Sequence, residues 1–194
     1  INFLKKLRKL CNQKKILLFL DEVQCGFGRS GKLFSHEWAG IKPDLMAVAK
    51  GIGSGFPMGA CLATKKIAIG MKKGIHGSTF GGNQLAMSVG LEVIKEISSK
   101  RFLKNVDNIS RYFWRKLKEL EIKFDEISEV RGAGLMIGIK TKTSNTKIND
   151  LFIKNGLLAV TAGDNVIRLT PPLIVAKAEI DTALNIINKV LKKI

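Results

Sequence analysis

The chain is poor in the residues on which secreted, membrane-spanning and base-stacking proteins depend. Cysteine occurs three times in 194 residues, at Cys11, Cys25 and Cys61. The number is odd and no two are closely spaced, so neither a disulfide framework nor a zinc site is expected, and a reducing cytoplasm suits the chain best. No uninterrupted apolar run exceeds five residues, as in Ile16–Leu20, which is far too short for a membrane-spanning helix. No charged stretch followed by an apolar segment opens the sequence, so no secretory leader is expected. Aromatic residues make up 7%, with one tyrosine and two tryptophans. They follow no pattern that would stack the bases of a single strand.

Acidic residues are also scarce, 16 against 33 basic, for a formal net charge of +17. Such an excess raises the possibility of a basic nucleic-acid-binding module. Two features argue against it. The charge is spread evenly, about +9 over residues 1–97 and +8 over 98–194, and lysine outnumbers arginine 26 to 7. Recognition of bases and phosphates favours the planar guanidinium fork. A lysine-rich solvated surface is the simpler reading, with no nucleic acid and no membrane among the expected partners.

What is present is enough apolar material, 45% of residues, to bury a core. Phe3, Leu4, Leu7, Leu10 and Cys11 recur at helical spacing with lysines opposite. That helix has neither a cap nor preceding residues, as expected of a piece of a longer chain. Strands are predicted at Ile16–Leu20, ending on Asp21, then at Leu45–Ala49 and Met58–Ala63, each bounded by glycine or proline. Helices follow over Gln84–Ile97 and Val106–Leu120, strands over Leu135–Ile139 and Val166–Leu169, and a closing helix over Glu179–Val190. The alternation argues α/β for the first half and α+β for the second, with a boundary near the Ser98-Ser99 step that divides 1–97 from 98–194.

Two glycine-bearing segments mimic nucleotide motifs and fail. Gly26-Phe27-Gly28-Arg29-Ser30-Gly31-Lys32 has the spacing of a phosphate loop, but Leu33 stands where a magnesium-binding hydroxyl belongs. Gly51, Gly53 and Gly55 are not followed by a helical pattern, and Pro57 interrupts them. Both read as turns. A different set is chemically suggestive: Asp21 ends one buried strand, Gln24 follows it, and Lys50 ends the next. Ligands in α/β sheets bind at the carboxyl ends of strands. A lysine buried there would lose affinity for its proton and become a nucleophile. The same pattern also fits a snorkelling lysine and a turn-capping aspartate.

At these residues the sequence resembles the class III aminotransferases. The signature is carried by Asp21-Glu22-Val23-Gln24 with Gly26–Gly31, and by Lys50 within Pro43–Gly55. It continues through His76-Gly77-Ser78-Thr79-Phe80-Gly81-Gly82-Asn83, Glu129–Leu135, Gly163–Leu169 and Pro171-Pro172. Gln84 departs from the proline usual after Gly-Gly-Asn. The resemblance implies a fold-type-I α/β transferase, of which the chain would hold the later part of the large-domain sheet and the α+β carboxyl-terminal small domain. It implies pyridoxal 5'-phosphate as cofactor, held covalently by Lys50. Asp21 would pair with the protonated pyridine nitrogen and Gln24 would bond the phenolic oxygen.

Ser78 and Thr79 would meet the cofactor phosphate ahead of a helix start. Thr79 would reach the cofactor of a neighbouring subunit in a homodimer, although Ser78 also suits a simple turn. Arg168, set among apolar neighbours, would fork onto the substrate α-carboxylate. Arg131 suits a structural role and His76 a loop contact. The implied reaction moves an amino group from N-acetylornithine to 2-oxoglutarate, with ornithine, 4-aminobutyrate or N-succinyl-diamines as alternative donors. Family members are about twice as long. Their amino-terminal half carries the glycine-rich phosphate loop, the ring-stacking aromatic and the groups that read the distal end of the donor, none of which is in this sequence. A catalytically silent packing subunit is the remaining alternative.

Overall fold

Pro43 and Asp44 decide where the first sheet begins. Pro43 has no N–H to give, so pairing cannot extend before it, and the Asp44 carboxylate takes the Leu18 N–H at 2.8 Å. The computed structural model describes residues 1–194 and confines strand β1 to Phe19–Asp21, paired in parallel with β2, Leu45–Val48. The strand expected from Ile16 therefore starts later, at Phe19, and ends on Asp21 as expected. Strand β3, Ala60–Ala63, runs antiparallel on the other side of β2, giving the order β1-β2-β3.

The chain divides into two compact units, Ile1–Leu103 and Lys104–Ile194. In the first, helix α1 spans Asn2–Lys14, and Arg8 joins Asp44 at 2.7 Å. Of the apolar stripe on α1 only Cys11 is buried, and Phe3 stands 71% exposed. A four-residue helix α2, Lys65–Ala68, precedes helix α3, Gln84–Ile97. The side chain of Asn83 accepts the Ala86 N–H at 2.9 Å and caps α3, so the helix starts at Gln84 without the proline usual there. The core of this unit is a small cluster of Phe27, Met46, Val48, Ile52 and Ile97, edged by Phe34, Met58 and Phe102.

Helix α4, Lys100–Lys123, leads into the second unit. It outruns the expected Val106–Leu120 because polar turns flank the apolar stripe and the Ser99 hydroxyl accepts the Phe102 N–H at 3.2 Å. Strands β4 (Ile127–Ala133), β5 (Met136–Thr141), β6 (Val160–Ala162) and β7 (Val166–Leu169) form an antiparallel sheet in the order β4-β5-β7-β6. Helices α5, Asn145–Lys154, and α6, Lys177–Leu191, complete it. Alternate residues of β5 are buried. Ile137, Ile139, Ile148, Phe152, Ile167, Ile180 and Ile187 all lie at or below 1% exposure. The first unit thus carries a mixed sheet with helices and the second an antiparallel sheet with helices, as the sequence pattern predicts. No helix is long and apolar enough to cross a membrane.

Candidate functional site

Register places the chemistry-bearing residues of the first unit at one rim. Asp21, the last residue of β1, pairs with Ala47 of the parallel strand β2, and Lys50 follows Ala47 by three residues. Both therefore stand at the carboxyl-terminal edge of the parallel pair, where α/β sheets present ligand-binding groups. The burial expected of them is not found. Both side chains are exposed, because they stand at the rim while Met46 and Val48, within β2, face the core. Asp21 Oδ1 accepts the Val23 N–H at 2.9 Å.

The backbone at this rim is strained. Lys50 has φ 46° and opens a tight 3₁₀ turn, Lys50–Ile52. A left-handed non-glycine residue costs about 1–3 kcal/mol and persists only where surrounding contacts dictate it. Two contacts do so. Phe27, itself at φ 51°, packs so close to Gly51 that a Cβ there would meet the Phe27 Cβ at 2.7 Å. Gly90 of α3 lies against the turn's far end, where an added Cβ would be 3.9 Å from the Ile52 carbonyl oxygen and 2.8 Å from the Met58 methyl carbon. The turn that displays Lys50 is thus pressed between the loop after β1 and helix α3.

That loop, residues 22–36, has a buried carboxylate at its centre. Glu22 is 2% exposed. Its Oε2 accepts the Ser35 N–H at 2.9 Å and the Cys25 thiol at 3.1 Å, and its Oε1 accepts the His36 N–H at 2.9 Å with His36 Nδ1 at 3.1 Å. Burial alone would raise the Glu22 pKa, but these bonds outweigh it and hold the carboxyl below its ordinary value. Burial, assisted by the neighbouring Glu22 charge, pushes the Cys25 thiol up. Gln24 is half-buried in the same loop, three residues beyond Asp21. The segment that resembles a phosphate loop is a run of turns, with Gly28 at φ 84° and Gly31 at φ 88°.

Ser78 and Thr79 lie on an exposed segment ahead of α3, where the Ser78 carbonyl accepts the Gly81 N–H at 3.4 Å. Arg168 belongs to the second unit. It sits on β7 in register with Gly138 and Val160, half-buried, and lines a pocket of about 420 Å³ with Leu157, Val160, Pro172 and Glu179. Arg131 is engaged in surface ion pairs with Glu129 at 3.2 Å and Asp164 at 2.9 Å. The structure therefore brings Asp21 and Lys50 to one rim, leaves Gln24 in the loop that follows Asp21, and sets Ser78 and Thr79 on a separate turn. The Glu22 cluster escapes sequence reasoning, since Ser35 and His36 lie 13 and 14 positions away; the only sequence signal is an acidic residue directly after a strand end.

The model of the family described as aminotransferase class-III matches residues 1–191. The chain belongs to the class-III aminotransferases. It is 55% identical over 183 residues to the acetylornithine aminotransferase of Mesorhizobium japonicum, covering 94% of this chain and 46% of that protein. Among solved structures it is similar to the N-acetylornithine aminotransferase of Stenotrophomonas maltophilia, with a TM-score of 0.87 and 34% identity over 98% of this chain and 51% of that one. It also matches the ornithine aminotransferase of Plasmodium yoelii at a TM-score of 0.92 and 34% identity, over 99% and 52% of the two chains. This class-III chain spans about half the length of the curated relatives it matches. Its fold is that of the fold-type-I aminotransferases.

Proposed function

We propose that this chain contributes the lysine-bearing half of a pyridoxal 5'-phosphate-dependent aminotransferase acting on N-acetylornithine and 2-oxoglutarate. The observation that carries the reading is Lys50, held left-handed at the carboxyl end of β2, beside Asp21 at the end of the adjacent parallel strand. The donor set fits the cofactor: a primary amine and a carboxylate share one rim, and a carboxamide follows three residues beyond the carboxylate. When bound, the cofactor supplies an aldehyde for the amino group and a ring that draws electrons from the reacting carbon.

Lys50 Nζ would hold the cofactor and serve as the base that moves the proton of the substrate α-carbon. Asp21 would keep a proton on the ring nitrogen, and Gln24 would bond the phenolic oxygen and fix the ring's tilt. Ser78 and Thr79 would donate hydroxyls to the phosphate. Arg168 would fork onto the α-carboxylate common to both substrates. A homodimer in which Thr79 serves the neighbouring subunit is part of the reading. The exposed apolar residues beside it, Phe80, Leu85, Met87 and Leu91, support an apposed surface there. Three free cysteines support a cytoplasmic setting.

Borohydride reduction in the presence of pyridoxal 5'-phosphate, followed by peptide mapping, should place the pyridoxyl group on Lys50. Label confined to other lysines overturns the assignment. In the assembled enzyme, whose other half would read the distal end of the donor, pre-incubation with N-acetylornithine should lower the trapped fraction more than equal ornithine or 4-aminobutyrate does, and the opposite order reassigns the donor.

A further inference from the structure

Glu22 is buried, charged and absent from the roles assigned above, yet its carboxylate receives four donors from three residues. Its backbone is committed as well. The Glu22 N–H donates to the Ala47 carbonyl at 2.9 Å, and its carbonyl accepts the Gly26 N–H at 3.0 Å. It therefore sits in the chain between Asp21 and Gln24, the two residues to which the ring contacts are assigned above, and it fixes the path of the chain through both.

A second line of contact leads from the same carboxylate to Lys50. The His36 ring, held by Oε1, stacks on Phe34 with centroids 5.7 Å apart and planes at 10°. Phe34 meets Phe27 edge-on at 5.5 Å. Phe27 in turn presses against Gly51, the residue next to Lys50. The chain of contacts is continuous, and it ends on the strained turn whose φ aims the lysine.

We propose that Glu22 is a positioning residue, holding Asp21 and Gln24 through the chain and Lys50 through the His36–Phe34–Phe27 stack, so that both limbs of the cofactor site keep one arrangement. The proposal rests on the reading that Lys50 holds pyridoxal phosphate. Glu22→Gln keeps the shape but turns an amide NH₂ toward two of the four donors, which leaves facing N–H groups without acceptors. His36→Ala removes the first ring of the stack and leaves its backbone N–H in place.

The test uses the 194-residue chain with pyridoxal 5'-phosphate. The 26 lysines provide an internal standard, since the share of borohydride-trapped label on Lys50 reports placement and the label elsewhere reports general reactivity. In Glu22→Gln the Lys50 share should fall roughly tenfold, in line with the effect of small misplacements on reacting groups. In His36→Ala it should fall less. Cys25 should be alkylated faster in Glu22→Gln. The absorbance band of the Lys50-bound cofactor should also move, because Asp21 and Gln24 govern ring protonation. A purely structural role would lower the melting temperature and leave the band in place.

Absence of any Lys50 preference in the wild-type chain would overturn the proposed function, and this proposal with it. A wild-type preference that survives both substitutions with an unmoved band overturns this proposal alone. Should Glu22→Gln fail to fold, His36→Ala decides between the same two outcomes.

Discussion

The two units hold themselves together by different means. The second buries a dense apolar layer against a four-stranded antiparallel sheet, while the first rests on a five-residue cluster and leaves all of β3 exposed. The first unit nonetheless holds Asp21, Gln24, Lys50, Ser78 and Thr79. There the backbone is held by local devices: a four-donor carboxylate, close glycine approaches, and positive φ at Phe27, Lys50 and Ser54. Apolar burial is non-directional, whereas a hydrogen-bonded carboxylate and a tight turn specify where a particular atom points. A rim that must display an amine gains more from the second kind of restraint.

If that contrast is right, core truncation should separate the units most. Phe152, 1% exposed between α5 and the sheet, should lose about 3–5 kcal/mol on Phe152→Ala, from lost transfer energy plus the cavity left behind. Leu62 on β3 is 43% exposed, and Leu62→Ala should cost less than about 1 kcal/mol. Urea unfolding followed by far-ultraviolet dichroism measures both. Equal losses would erase the contrast.

The same contrast explains what could be read from sequence. Helix α3 and strand β7 fall on the expected Gln84–Ile97 and Val166–Leu169 because apolar spacing and, for α3, the Asn83 cap are local signals. Strand β4 is obscured by the charges of Glu129 and Arg131 and by Gly132, and β6 is only three residues long. Helix α5 buries only Ile148, Asn149 and Phe152 from a polar stretch, too few to mark it. Asp21 and Lys50 are legible because each closes an apolar run. Their exposure is not, since burial depends on what packs over a sheet rim. The partners of Glu22 are invisible for a related reason: they come from an irregular segment whose path no periodicity records.

Backbone tightness near Lys50 should give the next largest effect. A Cβ at Gly53 would lie 2.0 Å from the Phe56 carbonyl oxygen, a backbone atom that cannot swing aside. At Gly55 nothing lies within 4 Å, although its φ of 112° is one that L side chains rarely adopt. Gly55→Ala should therefore cost about 1 kcal/mol of conformational strain, and Gly53→Ala clearly more, with loss of Lys50 trapping. Thermal denaturation of the two variants ranks them. Were Gly55→Ala the worse, the turn would be set by φ and not by close approach.

A smaller, pH-dependent effect should come from Glu22. Its folded pKa lies below the ordinary 4.5 that it regains on unfolding. The unfolded chain then binds the proton more readily, so the stability Glu22 supplies is complete above the unfolded pKa and is lost as pH falls through the folded one. Urea midpoints of wild type and Glu22→Gln should differ most above the ordinary 4.5 and draw together progressively as pH falls below it. A gap that widens in acid would show that the carboxylate destabilises the fold.

The smallest effect should appear in the second unit, at the Asp164 carboxylate on the β6–β7 turn. Lys140 Nζ lies 2.7 Å from Oδ1 and Arg131 Nη2 lies 2.9 Å from Oδ2. The bond from Lys140, and then that from Arg131, holds the Asp164 carboxyl below its usual range. All three side chains are about a third or more exposed, so water and salt screen the attraction, and exposed pairs of this kind contribute little. The turn itself is fixed by other means. Asn165 Nδ2 donates to the carbonyls of Thr141 at 2.6 Å and Thr143 at 2.9 Å, and these bonds survive loss of either cation. Lys140→Ala should therefore lower the melting temperature slightly more than Arg131→Ala, and molar salt should abolish both shifts. Because Arg131 reaches only this surface network in the second unit, Arg131→Ala should leave Lys50 trapping unchanged. A large, salt-insensitive loss at Arg131 would instead make the hairpin depend on charge, and the second unit would then share the polar restraint that distinguishes the first.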